Sequence, residues 1–230
     1  MKIFSDSADY NFILKYSKDK LVKGFTTNPS LMRLAGAKNY KSYSLKLIKI
    51  SNKKPISLEV FSDNINEMYK QGKLISKWGK NVYVKIPVVN TKGNFTGKCI
   101  KKLSSENIKL NITAVYTFQQ VKKITKEINR DSKVIISIFA GRMGDQGKNP
   151  IPIFKKAIKH VKKYKNVEIL WASTREPYNY LEAKSLNCHI ITAPPKIIDQ
   201  IKNFKKSYNQ LTIDTVKGFY KDAKKSGFKI

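Results

Sequence analysis

Lys85 stands in the run Val82-Tyr83-Val84-Lys85-Ile86-Pro87, where its neighbours are largely apolar. On a strand its side chain points to the face opposite those of Val84 and Ile86. If that face is interior, loss of water favours the neutral amine over the ammonium. A neutral amine can attack a carbonyl carbon and form a Schiff base. Two carboxylates stand where they could serve such an amine as general base or acid, Asp6 at the end of Lys2–Asp6 and Glu59 in Ile56–Val60. Asn28, Asn111 and Thr113 are polar residues at strand ends, where a filled core would take Val or Ile. Buried polar side chains need partners, and a bound polyol supplies them. Asn28, next to Pro29, is equally suited to capping a helix. Arg142, Ser173 and Arg175 could form an anion site, since both arginines fall just after neighbouring strand candidates. A guanidinium grips a phosphate as a fork. Each group also has a plainer reading: a lysine reaching solvent, surface salt bridges, arginines placed by chance.

These residues need a frame to bring them together. Eight β-prone runs recur: Lys2–Asp6, Lys23–Thr27, Ile56–Val60, Val82–Pro87, Lys109–Val115, Lys133–Phe139, Val167–Ala172 and Cys188–Thr192. Lys-rich amphipathic segments lie between them. Asn64–Lys77 and Phe118–Ile128 carry apolar residues at three- and four-residue steps, and Asn149-Pro150 leads into a helix over Ile151–Tyr164. Strands alternating with helices call for a parallel sheet, either an open doubly wound one or a closed barrel. No Gly-x-Gly-x-x-Gly or Gly-x4-Gly-Lys-Ser/Thr follows any strand, which removes the usual reason for an open nucleotide-binding sheet. The expectation is therefore an α/β chain folded as a (β/α)8 TIM barrel, one domain over residues 1–230, with an extra C-terminal helix over Leu211–Lys225 in a 211–230 tail. In such a barrel, chemistry sits at the C-terminal strand ends, where the residues above fall, and late βα loops often hold a phosphate.

Composition narrows the partners. The formal net charge is +30, which taken alone points to a polyanion. Only four of the 46 basic residues are arginine, however, and the lysines are spread from end to end. Arg is the preferred residue for bidentate recognition of phosphate and bases, so no specific nucleic-acid partner is expected. No apolar run approaches the roughly 20 residues of a membrane span. The opening Met-Lys-Ile-Phe-Ser-Asp turns polar too soon for a secretory signal, so the chain reads as cytoplasmic. Cys99 and Cys188 lie in no Cys-x-x-Cys or Cys/His cluster, so neither a disulfide framework nor a metal site is expected.

Five segments taken in order resemble the transaldolases and their small relatives, the fructose-6-phosphate aldolases. They are Gly24–Leu31 (GFTTNPSL), Val84–Pro87 (VKIP), Leu110–Thr113 (LNIT), Ser137–Arg142 (SIFAGR) and Ala172–Glu176 (ASTRE). The resemblance implies the same barrel and a transferase that moves a dihydroxyacetone unit between sugar phosphates, with no metal or organic cofactor. The alternatives are a dedicated fructose-6-phosphate-type or specialised sugar aldolase and, behind it, a basic nucleic-acid-binding protein on an inactive barrel. It implies that Lys85 forms the Schiff base and that Asp6 takes the proton from the C4 hydroxyl. Glu59 and Thr113 would hold a proton-shuttling water. Thr26, Asn28, Asn111 and Ser137 would line the sugar channel, and Arg142, Ser173 and Arg175 would bind phosphate. Phe139 should face the imine. The dedicated aldolases resemble one another in having Gln at the position of Glu59 and Tyr at that of Phe139, so this chain is transaldolase-like there. Ala140-Gly141 and Thr174 depart from the commonest family residues, which leaves the sugar open. Small relatives assemble into rings, so a homo-oligomer is expected, with Leu211, Ile213, Val216, Phe219 and Tyr220 to bury.

Overall fold

A two-residue alternation runs through the barrel strands, and it separates two cores. In the computed structural model, which describes residues 1–229, the strands are β1 (Lys2–Asp6), β2 (Val22–Thr26), β3 (Ile56–Glu59), β4 (Val82–Pro87), β5 (Leu110–Val115), β6 (Val134–Phe139), β7 (Val167–Ala172) and β8 (Ile190–Ala193). They close in sequence order into a parallel barrel, β1 pairing with both β2 and β8. Val82, Val84, Ile86, Ile112, Ile136, Ile138 and Ile169 face outward into a continuous core beneath the helices. The residues between them in sequence point inward. Phe4, Tyr83, Ile135, Leu170, Ala172 and Ile190 form a second, separate cluster there. At Gly24 a Cβ would stand 2.6 Å from the Phe4 ring, so only glycine lets that ring fill the interior.

The (β/α)8 expectation holds, with small shifts at strand ends. The second strand is Val22–Thr26 and stops before Thr27. The Thr27 hydroxyl turns to the Ser57 carbonyl, and Asn28 already caps the next helix. The last strand starts at Ile190 because the Cys188 amide still bonds back to the Ala183 carbonyl of the preceding helix. Helices fill each crossover, among them Ile65–Ser76, Phe118–Glu127 and Ile151–Val161, within the expected segments. Asn64 caps the first of these, and a reciprocal Thr117–Gln120 capping box starts the second. The C-terminal helix runs Tyr208–Ser226, beginning before the expected Leu211 because the Ser207 side chain caps it. None of its residues is buried. The expected tail ends on Ile230, which lies outside the described residues. Among the described residues no helix is long and apolar enough to cross a membrane.

Candidate active site

Parallel register assembles the polar groups. Glu59 pairs with Lys85, Lys85 with Asn111, and Asp6 with Thr26. In-register neighbours on parallel strands point to the same face, so these side chains enter the barrel one layer above the inner apolar cluster. A cavity of about 180 Å³ opens there, lined by Asp6, Thr26, Asn28, Lys85, Thr113, Ser137, Phe139, Arg142, Ser173, Arg175 and Thr192, among others.

Lys85 is 6% exposed. Its Nζ lies 3.1 Å from Glu59 Oε2 and donates to the Thr27 carbonyl at 2.8 Å. Both partners are acceptors, so the nitrogen is fixed on the β2–β3 side of the cavity. Asp6 accepts from the Thr26 hydroxyl at 2.7 Å. Removal from water raises the Asp6 carboxyl above the ordinary aspartate range, although the Lys85 charge and the Thr26 hydrogen bond act the other way. The Thr26 hydroxyl also meets that of Thr192. The Thr113 hydroxyl is buried in the same wall with no hydrogen-bond partner among the described residues. A buried hydroxyl in that state is costly unless a bound water or ligand completes it.

Of the expected sugar-channel residues, Asn111 is placed differently and Asn28 has two roles. Asn111 is buried and does not line the cavity; it donates to Ser57 Oγ at 2.9 Å and accepts from the Ser137 hydroxyl at 2.7 Å. It braces β3, β5 and β6 and acts on the cavity through Ser137. Asn28 does cap a helix, its side-chain oxygen accepting from the Leu31 amide at 2.9 Å, and it also lines the cavity. Glu59 likewise stands behind Lys85 and not in the cavity wall.

The residues expected to bind an anion gather at the rim of the cavity. Gly141, in the turn after β6, packs against the loop after β7 so closely that a Cβ would lie 1.7 Å from the Ser173 carbonyl oxygen. Ser173 itself takes a left-handed φ of 63°. Such conformations cost energy for a non-glycine residue and cluster at functional sites. The Arg142 guanidinium lies over the Phe139 ring, 5.8 Å from its centre. Arg175 is bound through a fork to Asp145, with Nε 3.0 Å from Oδ1 and Nη2 2.6 Å from Oδ2. Outside these arginines a wider cavity of about 850 Å³ is lined by Tyr116, Met143, Asp145, Lys148 and others.

Thr192, Ser57 and Asp145 belong to this constellation and were not picked out from the sequence. Thr192 follows Ile190 and Ile191 at the end of its strand candidate, so a polar residue in register with inward Ile190 was the available signal. Nothing local marks Ser57 or Asp145. Among the described residues no three His, Cys, Asp or Glu side chains gather to suit a metal ion.

Known proteins resemble this chain along most of its length. The family model described as transaldolase/fructose-6-phosphate aldolase matches residues 3–230. A probable transaldolase of Nitrosopumilus maritimus is 34% identical over 98% of this chain and 96% of its own length. A probable transaldolase of Herpetosiphon aurantiacus is 32% identical over 87% of each chain. Among solved structures, dihydrodipicolinate synthase from Rhodopseudomonas palustris superposes with a TM-score of 0.60 at 12% identity, covering 87% of this chain and 73% of that one. N-acetylneuraminate lyase from Mycoplasma synoviae gives 0.53 at 14% identity, covering 82% of this chain and 67% of that one. At such identities these two likenesses speak for the shared barrel alone.

Proposed function

The chain belongs to the transaldolase/fructose-6-phosphate aldolase family, and from that premise we propose that it transfers a dihydroxyacetone unit between sugar phosphates through a Schiff base on Lys85. The observation that carries the proposal is a buried lysine 3.1 Å from a carboxylate, opening on a polar cavity that also contains Asp6.

Lys85 Nζ gives up a proton to Glu59, directly or through water, and adds to the C2 carbonyl of a ketose phosphate. The carbinolamine loses its hydroxyl as water, and Glu59 with a water on the Thr113 hydroxyl carries the protons. Asp6 then takes the C4 hydroxyl proton. The C3–C4 bond breaks, its electrons pass into the protonated imine, and an aldose phosphate leaves. The enamine that remains on Lys85 attacks the aldehyde carbon of an acceptor, Asp6 returns the proton, and hydrolysis of the imine frees the new ketose phosphate. The imine is itself the electron sink, so the scheme uses no metal or organic cofactor. Arg142, Ser173 and Arg175 hold the phosphate; Thr26, Asn28 and Ser137 face the sugar hydroxyls.

Borohydride reduction in the presence of fructose 6-phosphate tests this directly. Mass spectrometry should find a three-carbon adduct on Lys85. An adduct on another lysine, or none with any ketose phosphate, would overturn the proposal.

The same reading includes one domain, a cytoplasmic setting, no specific nucleic-acid partner and assembly with further copies of this chain. Cys99 and Cys188 are free and buried, and burial pushes both thiols up to about 12, so neither is poised to react as a thiolate. On the C-terminal helix Leu211, Val216, Phe219 and Tyr220 are exposed, an apolar set that a second copy would cover. Light scattering at moderate salt should give a mass above the 26.4 kDa of one chain; a monomer at every concentration tested would refute assembly.

A further inference from the structure

The Arg175 guanidinium spends one edge on Asp145. Nε lies 3.0 and 3.2 Å from the two Asp145 oxygens, and Nη2 lies 2.6 Å from Oδ2. The opposite nitrogen, Nη1, sits at the Ser173 carbonyl, 3.4 Å away, a long contact that leaves donor capacity over. Ser173 lines the inner cavity with Arg142 and Arg175, whereas Asp145 lines only the outer one. The carboxylate therefore holds the guanidinium from behind. Its own place is set by the turn after β6, where its amide bonds the Gly141 carbonyl at 2.8 Å, and Gly141 is locked against Ser173.

We propose that Asp145 is a positioning residue for phosphate recognition, holding the Nε–Nη2 edge of Arg175 so that the Nη1 side is presented to the inner cavity. The proposal rests on the reading that Arg142, Ser173 and Arg175 hold a substrate phosphate. A free arginine side chain explores many rotamers, and fixing it before the ligand arrives reduces what binding must overcome. The pair is half exposed on both sides, 48% and 45%. Whatever such a pair adds to stability, its two-point hold fixes the Arg175 side chain at the cavity. The opposing effect is repulsion between the carboxylate and a bound phosphate. At an exposed rim that repulsion is screened by salt, whereas the hold on the guanidinium is a short-range contact.

The test is Asp145→Asn, which keeps the volume and removes the charge. Binding of inorganic phosphate to the intact protein is measured by calorimetry at raised ionic strength, where repulsion is screened. The Kd should rise roughly tenfold, the loss expected for disordering one charge-assisted contact. The KM for fructose 6-phosphate should rise with it while kcat holds. In an Arg175→Lys background, which lacks the fork, adding Asp145→Asn should cause no further loss. Phosphate binding that is unchanged or tighter in Asp145→Asn, absent in the parent protein, or additively weakened in the double variant would overturn the proposal. If Asp145→Asn weakens phosphate binding but no ketose phosphate is turned over by the parent, the positioning role stands and the transfer reading falls.

Discussion

The lower and upper halves of the barrel interior are built from the same strands two residues apart. Phe4 precedes Asp6 on β1, Tyr83 precedes Lys85 on β4, Ile135 precedes Ser137 on β6 and Ile190 precedes Thr192 on β8. The first member of each pair joins the inner apolar cluster. The second enters the polar cavity. One inward step along a strand thus converts packing into chemistry. The lower layer is held by apolar contact among its members. The upper layer is polar instead: among the described residues the Thr113 hydroxyl has no hydrogen-bond partner, and a carboxyl at Asp6 is held against the cost of burial. Substitutions in the upper layer should therefore alter reaction and spare folding, and those in the lower layer should do the reverse.

The sharpest break of that comparison is Lys85→Met. It keeps an unbranched side chain in the upper layer and removes the proposed nucleophile, so turnover and borohydride trapping should both fall to background while circular dichroism still reports a folded barrel. Asp6→Asn comes next, with turnover expected to fall roughly a hundred- to ten-thousand-fold, the usual range for losing a general base. Its stability should move the other way. Burial raises the folded-state pKa of Asp6 above its unfolded value, so the folded state binds the proton more tightly. Stability from this group is present below the unfolded value and is lost as pH rises through the window up to the folded value. Asp6→Asn should remove that slope and be the more stable protein at neutral pH, as denaturant midpoints across the acid range would show.

In the lower layer Leu170→Ala should cost about 2–5 kcal/mol of unfolding free energy, since Leu170 is fully buried. The protein that remains folded should keep the parent kcat; a loss of kcat without loss of stability would mean that the two layers are not separable. The smallest effect is expected from Phe139→Tyr, at the cavity wall where Phe139 stands beside Tyr116 with ring centres 5.8 Å apart. A hydroxyl there could join Glu59 and Thr113 in orienting water, so the enamine is protonated and hydrolysed instead of meeting an acceptor. Dihydroxyacetone release from fructose 6-phosphate should rise about tenfold relative to transfer to erythrose 4-phosphate. A folded variant with an unchanged ratio would assign Phe139 to packing alone.

The sequence by itself determined the number of strands, the helices between them and most of the residues at the strand ends. It could do so because inward-outward alternation and helix caps are local: each is decided within a few residues by sterics and hydrogen-bonding needs. Lys85 was legible for that reason, its apolar flanks forcing it to the other face. The tertiary structure alone decided which groups meet. Glu59 reaches Lys85 because β3 and β4 pair in a register that sets one opposite the other. Asn111 is spent inside the wall because Ser57, on a strand that is not its neighbour, comes within 2.9 Å. Arg175 is already held because a turn 30 residues earlier delivers Asp145 to it. Such meetings depend on closure of the whole barrel, in which strand register and shear fix where each side chain arrives.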